Sequence, residues 1–402
     1  MRVPDCADIV SAKNLWKIAI EFISRVDYEL MEYNLKLAYI VYLLCKAEGV
    51  SKKKTTYMVF MACFNDIGKH HIAKEGSSAA IETYLFLKYF SPIKDYAEIT
   101  LDNYNSKKSY KGKQSLFYIC RKYTTNLVEQ NDKDQAFACL ARPDFEEKDY
   151  KKLYKVISRN NLTYELNSAH YKTVVYTLIS TMMFKGKERD ELINMLSSLF
   201  EMYSIQTLYH SKITASVAYL LAKNMHISHS DRAKVYVAGL CHDLGKVQIP
   251  LEILEKAGKL TDEEYGVMKT HVIHTKEILA HNLDFDIIEI AARHHEKLDG
   301  SGYPNHIDGD HLTKCQKVLQ VADIISALMG KRSYKASWSA EKTIEILNSE
   351  VDNKRLDKNV VECFIDNQNK IIKVSKKLMD EADKKYEKIN RERDYLIRKN
   401  NR

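Results

Sequence analysis

A chain of 402 residues is long enough for two domains of ordinary size, each with its own core. Apolar residues at 45% with only 5 Pro and 13 Gly favour helices and short connections, which argues against a sheet-rich fold and for an all-α one. The formal charge of +8, 62 basic against 54 acidic residues, is a mild surplus that suits a small anionic ligand or an ordinary lysine-rich surface, and no DNA partner is expected.

The opening MRVPDCADIVSAKN carries acids and no long apolar core, so it does not read as a secretory signal. The most apolar stretches, 57–64 and 174–184, fall short of the roughly twenty residues a bilayer crossing needs, so no membrane span and a cytoplasmic location are expected. The eight cysteines are dispersed with no CxxC pair, as reduced core thiols would be.

In the first half, YNLKLAYIVYLLCK precedes FNDIGK; in the second, HSKITASVAYLLAK precedes CHDLGK. The offset is constant, since 210 minus 33 and 242 minus 65 both give 177. Each copy predicts an amphipathic helix, then a second buried helix that ends in Asp-Leu/Ile-Gly-Lys and is stopped by the Gly. At the polar positions the copies part: His210 becomes Tyr33 and His242 becomes Asn65, while Asp243 and Lys246 persist as Asp66 and Lys69. Further along, His271 aligns near Phe90, His294-His295 near Asn103-Tyr104, and Asp323 near Arg121. An aromatic ring, amides and a cation cannot assemble a divalent-metal site, so the first half reads as stripped of metals. For Asp66 and Lys69 a helix-capping or ion-pair role is favoured over a retained ligand pocket.

The apolar periodicity breaks at SRNNLTYELNS, residues 158–168, which places a domain boundary there; a helix over 170–184 and a polar KGKERDE connection follow. The second copy then carries His210, the pair His242-Asp243, His271, the pair His294-His295 and Asp323. Eleven of the fourteen histidines fall between positions 210 and 311, so the clustering calls for a chemical cause. Neutral imidazoles and carboxylates suit first-row transition metals, and a carboxylate can bridge two ions that together activate a water. The remaining histidines read as solvated or hydrogen-bonded, with His274 set apart because it could share a helical face with His271. Residues 370–402 alternate charge with apolar positions at near-heptad spacing, predicting one long amphipathic helix that packs on its own domain or on a second chain.

CHDLGKVQIP, LTDEEYGVMKTHVIHTKEIL, ARHHEKLDGSGYP and LQVADIISAL together resemble the HD-GYP phosphodiesterases, a branch of the HD superfamily of metal-dependent phosphohydrolases, over about 206–365. The resemblance implies tandem all-α HD-type domains: a degenerate one at 1–160, a catalytic one at 161–370 and a C-terminal helix at 371–402. It implies hydrolysis of a cyclic dinucleotide, cyclic di-GMP or 3',3'-cyclic GMP-AMP, by a hydroxide bridging divalent ions, with iron or manganese expected ahead of other transition metals or magnesium. Carried over residue by residue, His210, His242, Asp243 and Asp323 hold one ion and His271, His294 and His295 the other, with Asp243 bridging. Asp243 and Lys246 are the catalytic pair, Lys246 meeting the scissile phosphate. Arg332 and Lys335 contact the ligand's phosphates, and the DGSGYP loop offers Gly302 and Tyr303 to the substrate, with Asp299 organising the loop.

Where members with three metals have a Glu, this chain has Gln206, a poor ligand, so two ions are expected. Val272 and Thr275 replace the usual Pro and Gly after His271, and Ser333 stands where Pro is common; these departures bear on substrate choice more than on catalysis. A non-catalytic cyclic-dinucleotide sensor and a hydrolase of another nucleotide remain as alternatives. A homodimer through the degenerate domain or the C-terminal helix is the partner arrangement the pattern allows.

Overall fold

The structure, a computed structural model, describes residues 9–70, 77–102, 113–140, 146–181, 187–203, 210–329 and 339–400. Among these every regular element is helical, as the scarcity of Pro and Gly predicts. The chain divides into two compact units, one of residues 23–192 with 389–402 and the other of residues 1–22 with 193–388. The expected boundary at 160/161 is therefore displaced to 192/193. The reason is packing: the helix His170–Ser180 buries Tyr171, Val175 and Ile179 and lies against the helices Tyr28–Ala47 and Lys52–Cys63 of the first half. The predicted C-terminal helix is longer than expected, Lys358–Asn400, and its last part, from 389, belongs to the first-half unit.

Within the first-half unit, Tyr28–Ala47 packs on Lys52–Cys63 and on Lys113–Gln130, and Ala79–Phe90 packs on the 3-10 turn Ile67–His70. Its core holds Phe60, Phe64, Phe86 and Phe117, all fully buried. Arg393, near the end of the long helix, closes this unit from one side. Its Nε and Nη2 donate to Glu82 Oε1 and Oε2 at 2.7 and 3.0 Å, and the neighbouring Glu392 accepts from Tyr84, Tyr89 and Lys88. A forked pair of this kind fixes direction as well as distance.

The second unit repeats the same packing: His210–Asn224 lies on His229–Cys241 and Lys314–Met329, and His271–Leu279 lies on the 3-10 turn Leu244–Gln248. Ser228 starts the second of these helices by accepting from Asp231 N, the expected N-cap contact. The helix ends at Cys241, so Asp-Leu-Gly-Lys forms the turn after it, and Gly245 does not act as its stop signal. Gly245 permits a close approach: a Cβ there would lie 2.0 Å from His271 O and 2.4 Å from Thr275 N. Gly68 has the same surroundings, with Ala79 O at 2.5 Å and Thr83 N at 2.7 Å from a built Cβ. The hydroxyl that follows is matched too, since Gly245 N donates to Thr275 Oγ1 at 2.9 Å and Gly68 N to Thr83 Oγ1 at 3.0 Å. These pairs make Ala79, not Phe90, the counterpart of His271.

In the first-half unit Tyr33 donates through its hydroxyl to Arg121 O at 3.3 Å, and Arg121 Nη2 donates to Asp66 Oδ2 at 2.9 Å. A guanidinium thus meets the carboxylate that corresponds to Asp243, and Asp66 takes a left-handed φ of 54°, unlike Asp243 at −104°. The counterparts suggested for His294 and His295, Asn103 and Tyr104, lie outside the described residues. Arg121→Ala is expected to destabilise this unit by about 3 kcal/mol, because it strips the cation from a buried carboxylate, while Arg121→Met combined with Asp66→Asn costs less. Urea unfolding of the three proteins checks the order.

Candidate metal centre

Helix ends supply most of the polar side chains at the centre of the second unit. His210 and His271 are first residues of their helices, His242 and Asp243 follow the last turn of His229–Cys241, and His294 and His295 follow Phe285–Ala292 with Arg293 between. Asp323 alone projects from mid-helix, on Lys314–Met329. Apolar positions on those helices, among them Leu221, Val235, Ile287, Val321 and Ile325, are fully buried and hold the ends in register.

All seven expected ligands converge. His210 Nε2 lies 2.9 Å from Asp323 Oδ1 and 3.7 Å from Asp243 Oδ2; His242 Nε2 lies 3.3 Å from Asp243 Oδ2 and 3.5 Å from Asp323 Oδ1. On the other side of the Asp243 carboxylate, His271 Nε2 is 3.5 Å and His294 Nε2 3.9 Å from Oδ1, and the two ring nitrogens are 3.4 Å apart. His295 completes a group with His271 and His294, its ring centroid 4.0 Å from that of His294. Asp243 therefore faces one cluster with each oxygen.

The rings are presented edge-on by their own backbone. The Nδ1 atoms of His242, His271 and His294 lie 2.8, 2.7 and 2.7 Å from the carbonyl oxygens of Gly239, Met268 and Ala291, each three residues earlier. A carbonyl can only accept, so Nδ1 carries the hydrogen and Nε2 is left as the inward-facing atom, the arrangement metal-ligating histidines adopt. Among the described residues, His242 Nε2 and Asp243 Oδ1 are buried and find no hydrogen-bond partner. Buried polar atoms left so are costly, and a divalent cation between them satisfies both.

Electrostatics points the same way. Burial lowers the pKa of His271 to about 4 and of His294 to about 3, and it holds His295 well below its ordinary value, so these rings are neutral donors at pH 7. Burial also opposes charge on His242, yet the Asp243 and Asp323 carboxylates outweigh it and lift that ring to about 10. For Asp243 burial works against ionisation, but His242 and Lys246 hold it well below the carboxylate range; for Asp323 the same opposition is overcome by His210 and His242. The site is an ionised pair of acids wrapped in imidazole, which suits transition-metal ions.

Lys246 Nζ donates to Asp243 Oδ2 at 2.6 Å from a partly open position, so it stands beside the cluster. Tyr303 lies over His295, ring centroids 4.8 Å apart at 32°, and its backbone N donates to His295 O at 3.1 Å. Gly302 lets the loop fold back this tightly, since a Cβ there would sit 2.2 Å from Lys297 N. Asp299 accepts from Ser301 N and Oγ at 2.9 and 2.6 Å, organising the turn. Arg332, Lys335, Ser333 and Gln206 lie outside the described residues. His274 stays apart from the cluster, 3.3 Å from Glu277 Oε2.

Several supporting residues escaped the sequence reading. Glu296, directly after the His pair and fully buried, accepts from Asn305 N and Ile307 N at 2.7 and 3.0 Å and so anchors the loop. Its place after two ligands was the available signal. Thr275, noted only as a departure, accepts from Gly245 N and donates to His242 O, both at 2.9 Å, tying the ligand turn to the next helix. Ser326 and Thr214 behind His210 carried no signal, being small hydroxyls inside apolar helices.

Fold and site together define an all-helical domain with His and Asp groups able to hold metal ions. Residues 190–360 match the family model described as HD domain. The HD-GYP resemblance holds alongside it. A Vibrio cholerae serotype O1 protein named 3'3'-cGAMP-specific phosphodiesterase 1 is 28% identical over 236 residues, 58% of this chain and 55% of that protein. A Thermotoga maritima protein named cyclic di-GMP phosphodiesterase is 31% identical over 195 residues, 48% of this chain and 52% of its own length. The chain thus spans about half the length of these curated relatives. A solved structure of a cyclic GMP-AMP specific phosphodiesterase of V. cholerae aligns with a TM-score of 0.55 at 15% identity, covering 89% of this chain and 97% of that one, which shows a shared fold. No helix among the described residues is long and apolar enough to cross a membrane.

With metal ions removed by chelator, the buried rings make stability depend on pH. An unfolded imidazole titrates near 6.5, whereas folded His271 and His294 do so at about 4 and about 3. The unfolded chain therefore binds more protons as pH falls below 6.5, and stability declines by up to about 1.4 kcal/mol per pH unit for each ring. His242, shifted upward, contributes fully below 6.5 and does not oppose the trend. The thermal midpoint is expected to drop between pH 6.5 and 4.5, and to drop less in the His271→Leu/His294→Leu double variant.

Proposed function

We propose that this protein hydrolyses a cyclic dinucleotide, cyclic di-GMP or 3',3'-cyclic GMP-AMP, at the His/Asp centre of its second half, with two divalent ions, iron or manganese, as cofactors. The observation that carries this reading is the convergence of four imidazole Nε2 atoms, from His210, His242, His271 and His294, on both oxygens of the buried Asp243 carboxylate, with Asp323 and His295 grouped beside them. His210, His242, Asp243 and Asp323 would hold one ion, and His271, His294 and His295 the other, with Asp243 shared. Ions held there would activate a water for in-line attack on phosphorus and neutralise charge on the phosphoryl oxygens.

The chain's own residues supply the rest. Asp243 and Asp323 stay ionised because imidazoles and, for Asp243, Lys246 oppose their burial, so the centre keeps the negative charge that selects cations. Lys246, at the partly open edge, is the ammonium nearest the centre among the described contacts and would meet a phosphate oxygen as charge builds during attack. Tyr303, held over His295 by its own backbone hydrogen bond, presents an aromatic edge beside the centre where a nucleobase or sugar can rest. Arg332 and Lys335 are proposed as further phosphate contacts on the strength of the motif alone. The names of the V. cholerae and T. maritima relatives support a cyclic dinucleotide as the substrate.

Purified protein loaded with iron or manganese is expected to convert at least one of the two cyclic dinucleotides to a linear product, followed by chromatography. Chelation or Asp243→Ala should abolish turnover, and Lys246→Met should lower kcat by about 10²-fold or more. If both cyclic dinucleotides and the linear dinucleotide survive, the reading fails. If Asp243→Ala still binds the cyclic dinucleotide and the wild type never turns it over, the protein is a sensor instead.

A further inference from the structure

His210 is oriented differently from the other three tethered rings. Its Nδ1 lies 3.3 Å from Ser326 Oγ, a side chain on the helix that also carries Asp323. Ser326 has one hydroxyl hydrogen, and its oxygen lies 2.9 Å from Asp323 O, a carbonyl that can only accept. With that hydrogen committed, the Ser326 oxygen is left to accept. Two groups offer it a hydrogen: His210 Nδ1 and the hydroxyl of Thr214, which makes a short contact with Ser326 Oγ. Ser326 is 2% exposed and Thr214 fully buried, so water does not compete for these contacts. The first-half unit carries a contact of the same kind, Tyr33 Oη to Thr125 Oγ1 at 3.1 Å, between the corresponding pair of helices.

We infer that Ser326, backed by Thr214, is a positioning residue that holds His210 with Nδ1 protonated and Nε2 turned toward Asp323 and Asp243, and so sets the affinity of one of the two proposed ions. The inference rests on the metal-centre reading above. Ser326 lies three residues beyond Asp323, almost one helical turn, so one helix supplies a carboxylate ligand and steers an imidazole from another helix onto the same ion. His271, His294 and His295 make no described contact with this pair of hydroxyls, so the second ion should not sense it.

The test is a titration of full-length metal-free protein with Mn²⁺ against a competing chelator, for wild type, Ser326→Ala, Ser326→Thr and Thr214→Val. Ser326→Ala is expected to weaken one of two binding steps by about 10–100-fold and to leave the other at its wild-type value. Ser326→Thr, which keeps the hydroxyl, should restore the weakened step, and Thr214→Val should weaken the same step by less. Turnover by Ser326→Ala should recover at high Mn²⁺, which a general folding defect would not allow. Equal weakening of both steps, or wild-type binding of both ions by Ser326→Ala and Thr214→Val, overturns the inference. A wild type that binds no Mn²⁺ overturns the metal-centre reading with it; a wild type that binds two ions beside an unaffected Ser326→Ala removes only the positioning role.

Discussion

A carboxylate taken out of water needs positive charge within reach, and Asp243 is such a carboxylate at the meeting point of several helix ends. One oxygen faces His210, His242 and Lys246; the other faces His271 and His294 and finds no hydrogen-bond partner among the described residues. The surrounding imidazoles can be turned inward because backbone carbonyls hold their outer nitrogens. Helix termini suit this task, since a side chain just beyond the last turn can reach back to a carbonyl that has no intrahelical partner. Placement of the acid, the rings and the loop over His295 follows from that requirement.

The first half of the chain meets the same requirement with different chemistry. It keeps the helix pairings, the glycine that lets a 3-10 turn lie on the next helix, and the Thr hydroxyl that receives that glycine's N–H. Its acid, Asp66, is matched by the Arg121 guanidinium rather than by rings that could share an ion. A fixed cation from within the chain thus balances this acid without an ion taken from solution.

Much of this was legible beforehand, for identifiable reasons. Imidazoles and acids in fixed order have few uses, so the seven donors could be named from residue type alone, and apolar periodicity exposed the paired helices. The domain boundary was not legible, because His170–Ser180 has the same helical period whichever unit it packs on. The counterpart of His271 is Ala79 rather than Phe90, because the connection after Lys69 is much shorter than the one after Lys246, a deletion that matching apolar helices does not reveal; the shared glycine contact identifies Ala79. Glu296, Ser326 and Thr214 act through hydrogen bonds between segments distant in sequence, which no local pattern records.

Neither unit is one uninterrupted stretch of chain. Residues 1–22 belong with the second half, and residues 389–402 return to the first, where Arg393 grips Glu82. During synthesis the guanidinium destined for Glu82 leaves the ribosome only after all of residues 193–388 has been made. The first unit is thus begun early and finished last, and a fragment severed at either seam would forfeit wall pieces of both halves.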